Sequence, residues 1–246
     1  MPTYKTKAIV LKRRNQGESD RVLTLFSLEQ GRLSVIAKGA RKSKSKLSGG
    51  IELFTEANFT LTNGKAFEIL RESAPISHFL SDETDLEKIK LAYFFAEVVI
   101  HTTVENQRST LLYQTLSDCL SQIGRVDSRL VLVYFTSKVL EVSGAYPELS
   151  VCVGCREKPT GKIRFSHSAG GIFCDKCKPF TESLFPINRN TVKLWRYILE
   201  TNPVGLERLK IEDPGLLDDS SRLAQTFLCN ITGKEYCTLD RLRLTE

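Results

Sequence analysis

Alternation of apolar and polar positions dominates the first 75 residues of the chain. Leu33, Val35 and Ala37, for example, share one face of a short stretch. A period of two residues is typical of strands that are buried on one side. The pattern predicts five strands: Tyr4–Arg14, Arg21–Leu28, Arg32–Lys38, Leu53–Thr62 and Phe67–Ser73.

Five short strands in such a length favour a small closed barrel, and the OB-fold is the commonest five-stranded solution. An SH3-like barrel would give nearly the same pattern, so the residues alone leave it open. Asn63-Gly64 predicts a two-residue hairpin turn between the last two strands, because both residues tolerate positive φ.

The period changes after Pro75. Ser81-Asp82 can cap a helix in which apolar residues recur at helical spacing from Leu86 to Ile100. Four further helices are predicted at Ser109–Ile123, Arg129–Val142, Thr191–Leu199 and Leu216–Ile231. The expected fold is therefore α+β, with an N-terminal five-stranded OB-fold barrel at 1–78. A mostly helical domain follows at 79–246, with an irregular inserted segment at about 150–180.

Basic residues are concentrated at the start of the chain. The net charge is only +6, but residues 1–47 contain twelve Lys and Arg against three Asp and Glu, a net charge of +9. Such asymmetry indicates a polyanionic partner for the first part of the chain. No stretch resembles a signal peptide or a membrane span, so we expect a cytoplasmic location without membrane contact.

The densest part of this charge is the run from Lys38 to Lys46. Small residues separate its cations, so an extended loop can place each one on a phosphate of a nucleic acid. The alternative is a solvated loop without a partner. Phe54, Phe59 and Phe67 are candidates for stacking on bases, although such residues are more often core residues of strands. The expected DNA-binding residues are Arg13, Arg14, Lys38, Arg41, Lys42, Lys44 and Lys46.

Four of the seven cysteines form two C-x-x-C pairs, Cys152/Cys155 and Cys174/Cys177, which are separated by eighteen residues. This spacing is typical of a zinc ribbon, and four cysteines complete a tetrahedral, structural site. We therefore expect one structural Zn²⁺ per chain in a zinc-ribbon-like segment. Two disulfides, four unrelated buried thiols, or His167 in place of one cysteine are the alternatives. Cys119, Cys229 and Cys237 are expected to be buried small hydrophobes.

Enzyme signatures are missing from the sequence. None of its three Gly-Lys pairs is followed by Ser or Thr, so there is no P-loop and no nucleotide cofactor is expected. Motifs of serine hydrolases, dinucleotide-binding enzymes and zinc peptidases are also absent. We therefore expect a binding protein that is not an enzyme.

Two stretches of the chain closely resemble the bacterial RecO family of recombination mediators, in its zinc-bearing branch. The first is Gly17-Glu18-Ser19-Asp20-Arg21-Val22-Leu23-Thr24-Leu25-Phe26, followed by Glu29-x-Gly31 and Ala37-Lys38-Gly39-Ala40-Arg41-Lys42. The second is Leu140-x-x-x-Gly144-x-x-Pro147-x-Leu149-x-x-Cys152-x-x-Cys155. The resemblance is dense in the first 45 residues and good from about 140 to 180.

The resemblance implies an OB-fold followed by a mostly helical domain, and a role in DNA repair through the RecFOR pathway. Such proteins bind single- and double-stranded DNA, anneal complementary strands and, with RecR, load RecA onto DNA coated by single-strand-binding protein. On this analogy Lys38, Arg41 and Lys42 lie on the DNA-binding face. The helical domain would bind the C-terminal tail of single-strand-binding protein, with Arg125, Arg129 or Lys138 as its cation.

Two other interpretations remain. The same basic loop suits an RNA- or ribosome-associated OB-fold and zinc-ribbon protein. A metal-dependent nuclease or another enzyme would need an open metal site.

Overall fold

The barrel that the sequence predicts is present in the computed structural model, which describes residues 2–43, 45–64, 66–80, 85–177 and 184–236. Its strands are β1 (Thr3–Gln16), β2 (Asp20–Ser27), β3 (Gly31–Ala37), β4 (Thr55–Thr62) and β5 (Glu68–His78). They close in the order β1-β2-β3-β5-β4, and β1 pairs with both β2 and β4. The β3–β5 pair is parallel and the others are antiparallel. This is the OB-fold topology, so the expected fold class is confirmed.

Apolar residues with a period of two fill the inside of the barrel. Closing a sheet into a barrel pairs its edge strands, and the inward-facing alternate side chains supply the core. The inward residues share near-complete burial; they include Ala8, Val10, Leu23, Leu25, Leu33, Val35, Phe59 and Leu61. The core thus fixes the register of every strand and, with it, the positions of the loops.

Three details of the barrel differ from the prediction. The strands β4 and β5 are not joined by a two-residue turn at Asn63-Gly64, because Thr62 pairs with Ile69. Pro75 does not end β5, since the pairing shifts register beside it and the strand continues to His78. A bulge tolerates the missing N–H of proline. Phe54 has a φ of +55° and lies in a turn, so β4 begins at Thr55.

Two helices complete the first compact unit of the chain, α1 (Leu86–Thr102) and α2 (Thr110–Gln122). Asp85 caps α1 by accepting a hydrogen bond from the N–H of Lys88, whereas the predicted cap Ser81-Asp82 lies outside the described residues. The segment between the helices packs against the start of β3. A Cβ atom at Gly31, whose φ is +74°, would lie 1.9 Å from the carbonyl oxygen of Gln107. Only glycine permits this contact.

The second compact unit comprises Gly124–Glu235. Its helices are α3 (Ser128–Val142), α4 (Arg189–Glu200), α5 (Pro203–Glu207) and α6 (Pro214–Thr232). A three-stranded sheet of β6 (Ile163–Ser166), β7 (Gly171–Phe173) and β8 (Phe185–Ile187) has the order β7-β6-β8. Neither α5 nor β8 was predicted.

The core of this unit surrounds Trp195. The indole ring is fully buried, packs on Phe165 and Phe227, and donates a 2.8 Å hydrogen bond from Nε1 to Oγ of Ser137. A buried indole N–H needs such an acceptor. The sheet of the cysteine segment and the helices therefore share one core.

The first compact unit runs to Ile123 and includes Tyr236, whose ring packs on Phe94. The predicted domain division at residue 78 stays a prediction. No helix in the described parts of the chain is long and apolar enough to cross a bilayer.

Candidate nucleic-acid interface and metal site

The basic run follows β3 and is fastened to the turn between β1 and β2. A carboxylate oxygen of Asp20 accepts the N–H of Gly39 at 2.8 Å. The N–H of Arg41 donates to the carbonyl of Ser19 at 2.9 Å, and its Nη1 donates to the carbonyl of Gly17 at 2.9 Å. Together these bonds join the two loops into one surface. We call residues 38–46 the basic loop.

The hydrogen bonds to Asp20 also affect its titration. The N–H of Gly39, then the hydroxyl of Ser19 and the charges of Lys38 and Lys42, lower the pKa of the Asp20 carboxyl below its usual range. Asp20 therefore stays ionised and holds the start of the basic loop.

Four cations of the basic loop are exposed to solvent: Lys38, Arg41, Lys42 and Lys46. In the described parts of the chain, none of them lies within 4 Å of a carboxylate. Lys44 lies outside the described residues. The loop thus presents unneutralised positive charge on a held backbone, which is what a phosphate backbone requires.

The two arginines at the end of β1 differ from each other. Arg14 is exposed, whereas Arg13 is bonded to the carboxylate of Glu52. The other oxygen of Glu52 lies 3.5 Å from Nη1 of Arg21. Part of the charge of Arg13 is therefore neutralised within the barrel, which the sequence analysis did not anticipate.

The aromatic candidates for base stacking are not available on the surface. Phe54 and Phe59 are 2% and 0% exposed, and Phe67 is half-buried. Phe54 packs edge-on against Tyr93 at a centroid distance of 5.2 Å. The stacking hypothesis is wrong for both, because Phe59 is buried in the barrel core and Phe54 is buried against Tyr93 of α1.

The four cysteines of the two C-x-x-C pairs come together. The Sγ atoms of Cys152, Cys155, Cys174 and Cys177 all lie within 4.8 Å of one another, and those of Cys155 and Cys174 are 3.9 Å apart. A tetrahedral zinc with Zn–S bonds of about 2.3 Å sets its sulfurs about 3.8 Å apart. The observed sulfur positions therefore fit such an ion, and four ligands leave no open position for catalysis.

Backbone N–H groups point at the sulfur of Cys152. The N–H of Cys174 donates to it at 3.3 Å. Burial opposes ionisation of this thiol, but hydrogen bonds from the N–H groups of Cys174, Cys155 and Gly154 outweigh it and lower its pKa to about 6. A thiolate is the form that binds a metal, so the backbone prepares this ligand.

Each C-x-x-C turn, which we call a knuckle, depends on particular neighbouring residues. Gly154 is packed tightly, since a Cβ there would lie 3.1 Å from Cβ of Cys177. Nη2 of Arg164 on β6 donates to the carbonyls of Cys174, Asp175 and Cys177 at 3.1, 3.1 and 3.3 Å. Arg164 thus fixes the backbone of the second knuckle, Cys174–Cys177, through three hydrogen bonds.

Among the described residues, His167, Cys119 and Cys229 do not belong to this cluster. His167 packs among Phe165, Phe185 and Phe227, and burial lowers its pKa. Cys119 is buried as expected, whereas Cys229 is only half-buried and Cys237 lies outside the described residues.

The three candidate cations for a tail-binding groove differ in their surroundings. Arg129 is paired with Asp127 at 2.7 Å and Asp218 at 2.9 Å, and Lys138 lies 2.9 Å from Glu141. Arg125 is exposed and has no ion pair within the described residues. Of the three, Arg125 is the cation left for a ligand.

Sequence analysis missed the supporting residues Asp20, Glu52 and Arg164. An Asp beside a glycine turn is a typical acceptor for backbone N–H groups, so Asp20 carried a usable signal. The partners of Glu52 and Arg164 are set by the barrel closure and by the β6–β7 register, and no local pattern reveals them.

Comparison with known proteins covers nearly the whole chain. Residues 1–79 match the family model "Recombination protein O N terminal", and residues 83–232 match "Recombination protein O C terminal". A DNA repair protein RecO from Dehalococcoides mccartyi is 35% identical, over 85% of this chain and 83% of its own length. Proteins of the same name from Alkaliphilus metalliredigens and Acetivibrio thermocellus are each 30% identical, over 91% and 99% of this chain and 92% and 97% of their own.

Proposed function

The chain belongs to the RecO family of DNA repair and recombination proteins, and from this premise we propose that it is a non-enzymatic mediator of homologous recombination. It binds single- and double-stranded DNA and anneals complementary strands without a nucleotide cofactor. With RecR it helps to load RecA onto DNA coated by single-strand-binding protein. On this proposal it works in the cytoplasm and is nucleoid-associated when bound to DNA.

The observation that carries the proposal is the basic loop. Lys38, Arg41, Lys42 and Lys46 are exposed and have no carboxylate partner in the described structure, and Asp20 holds the backbone that bears them. We propose that these residues, with Lys44, Arg14 and to a smaller extent Arg13, contact phosphates. Such contacts give affinity without sequence preference, which suits a protein that must act on any damaged strand.

The metal site has a structural role in this proposal. Cys152, Cys155, Cys174 and Cys177 would hold one Zn²⁺, which supplies a cross-link between two knuckles that are too short to form a core. The protein partners are proposed from the family resemblance. For the tail of single-strand-binding protein, Arg125 is the candidate cation, because Arg129 and Lys138 already have carboxylate partners.

Annealing of two complementary oligonucleotides coated with single-strand-binding protein, without ATP, tests the proposal. The loop variant carries Lys38→Ala, Lys42→Ala and Lys46→Ala and keeps Arg41, which fastens the loop. The control variant removes the same charge from exposed sites in the second unit through Arg208→Ala, Lys210→Ala and Arg222→Ala. We expect fast annealing by the wild type and the control, and slow annealing by the loop variant.

Affinity for a single strand should change in parallel. Each lost phosphate contact makes the negative slope of log K against log salt shallower by about 0.7. The slope for the loop variant should therefore be about 2 smaller in magnitude than that of the wild type. A wild type that binds matched RNA strands tightly but does not anneal DNA would favour the RNA-associated alternative. Magnesium-dependent strand cleavage would indicate an enzyme.

A further inference from the structure

A second concentration of positive charge surrounds the cysteine segment. Residues 156–193 contain eight Lys and Arg against three Asp and Glu, a net charge of +5. This segment belongs to the second compact unit, whereas the basic loop belongs to the first. The function proposed above makes no use of this charge.

Hydrogen bonds gather these cations on one surface. Nη2 of Arg189, at the start of α4, donates to the carbonyls of Pro159 and Gly161 at 3.3 and 3.0 Å. Lys158 and Lys162 flank these two residues along the chain. The loop that carries them is therefore fixed beside the exposed start of α4.

The second cysteine knuckle joins the same surface. The N–H of Asp175 faces the carbonyl of Thr160 at 3.5 Å, which places Lys176 next to the 158–162 loop. Lys193 follows Arg189 by one helical turn on the exposed side of α4, opposite the buried Trp195. We call the set Lys158, Lys162, Lys176, Arg189 and Lys193 the zinc-side face.

The cations of the zinc-side face form no ion pair within the described residues. All five cations are exposed, and none has a carboxylate within 4 Å among the described residues. In the same unit Arg129 and Lys138 do have such partners. Asp175 is the acidic residue of a cavity of about 390 Å³ that Lys162, Arg164 and Arg189 also line.

We propose that the zinc-side face is a second nucleic-acid-binding surface, which contacts the phosphodiester backbone of a strand. Fixed and exposed cations without an ion-pair partner among the described residues suit a polyanion, and contacts to phosphates give binding without sequence preference. The proposal does not depend on the basic loop. If both surfaces bind, one chain holds two strands at once, and the cysteine cluster positions the second of them.

Binding stoichiometry of the full, zinc-loaded chain tests the proposal. Oligothymidylate of about 10 nucleotides matches the site size of a single surface. It is titrated at low salt and followed by fluorescence anisotropy. The face variant carries Lys158→Gln, Lys162→Gln and Lys176→Gln and keeps Arg189, which holds the loop. The control carries Arg208→Gln, Lys210→Gln and Arg222→Gln, and zinc content is measured for each protein to verify the knuckles.

We expect two oligonucleotides per chain for the wild type and the control, and one for the face variant with zinc retained. If the loop variant also binds one oligonucleotide per chain, both surfaces are supported. If the loop variant still binds two, the proposed DNA-binding role of the basic loop is wrong, but the zinc-side face is unaffected. If the face variant binds as many oligonucleotides as the wild type, the zinc-side face is not a nucleic-acid surface. Equal competition by polyglutamate of matched charge would also overturn the proposal and indicate an acidic protein partner.

Discussion

The hydroxyl of Tyr113 on α2 donates a 2.8 Å hydrogen bond to Oε1 of Glu56 on β4. Glu56 is only 5% exposed, and its second oxygen lies 3.0 Å from Nζ of Lys7 on β1. A buried carboxylate is costly unless it is paired and hydrogen-bonded, and this one has both kinds of partner. Tyr113 therefore joins α2 to the barrel. It supplies the Glu56 carboxylate with a hydrogen-bond donor that the barrel strands do not provide.

Replacement Tyr113→Phe should destabilise the first unit. It removes the donor at 2.8 Å and leaves Oε1 of the buried Glu56 with only the weak 3.5 Å hydrogen bond from Ser117, at a cost of about 1–3 kcal/mol in the free energy of unfolding. Urea unfolding followed by circular dichroism measures the loss. As a control, Tyr197→Phe on the exposed side of α4 should change the free energy little. Equal effects of the two substitutions would contradict the role of the buried bond.

Stability should also fall at alkaline pH. Burial and the hydrogen bond to Glu56 raise the pKa of Tyr113, and burial with the charge of Glu68 raises the pKa of Tyr4 to about 12. A raised pKa in the folded state contributes stability that is complete below the unfolded value of about 10 and is lost as pH rises through the folded value. We expect the free energy of unfolding to decrease above about pH 10, and less steeply in Tyr113→Phe. If the free energy of unfolding falls equally steeply with pH in both proteins, Tyr113 does not contribute to the loss of stability.

Substitutions of Asp20 distinguish the effect of its negative charge on DNA binding from its role in positioning the basic loop. If charge alone mattered, Asp20→Ala would strengthen DNA binding, because it removes a negative group beside Lys38 and Lys42. Since Asp20 holds the N–H of Gly39, we expect several-fold weaker binding instead. Asp20→Asn keeps an oxygen acceptor without the charge and should bind at least as tightly as the wild type. Tighter binding by Asp20→Ala, measured by anisotropy, would refute the positioning role.

The cysteine cluster should contain one zinc per chain by elemental analysis. We expect Cys155→Ser to lower this content and to increase amide exchange in the two C-x-x-C turns at 152–155 and 174–177, since these turns are too short to form a core without the metal. Cys229→Ser on α6 removes a thiol outside the cluster and should retain full zinc. Freshly purified wild type that lacks zinc would rule out this assignment.

Arg164 should control how firmly the metal is held. Arg164→Lys keeps the charge but cannot reach three carbonyls with one planar group. Groups that orient metal ligands typically contribute 10- to 100-fold in metal affinity. We therefore expect a chelator to remove zinc at least about tenfold faster from this variant, with Arg196→Lys on exposed α4 surface as the matched control. If zinc is released at an unchanged rate, the second knuckle keeps its structure without the hydrogen bonds of Arg164.

Local pattern was sufficient for the barrel strands, because each has a buried face with a period of two. It failed where a tertiary contact decides the backbone. Phe54 reads as a strand residue, but its N–H donates to the carbonyl of Val10 and its own carbonyl accepts from Phe79, so it turns with positive φ. Asn63-Gly64 reads as a tight hairpin, but the pairing of Thr62 with Ile69 makes these two residues the start of a longer connection between β4 and β5.

The clustering of the four cysteines was predictable because spacing along the chain alone defines the two C-x-x-C turns. The strand β8 was not, since three residues with a central proline carry no periodicity and are defined by pairing with β6. The zinc-side face likewise combines residues far apart in sequence, which the hydrogen bonds of Arg189 and the contact between Asp175 and Thr160 bring together.

The tight contact between Gly31 and Gln107 has a consequence for dividing the chain into fragments. The N-terminal family model ends at residue 79, but a fragment cut there would strip β3 of the backbone that packs on it and leave Glu56 without Tyr113. A fragment carried through Ile123 keeps both contacts. An OB module taken from this protein for transplantation should therefore include α1 and α2, because the N-terminal family model ends inside the compact unit and not at its limit.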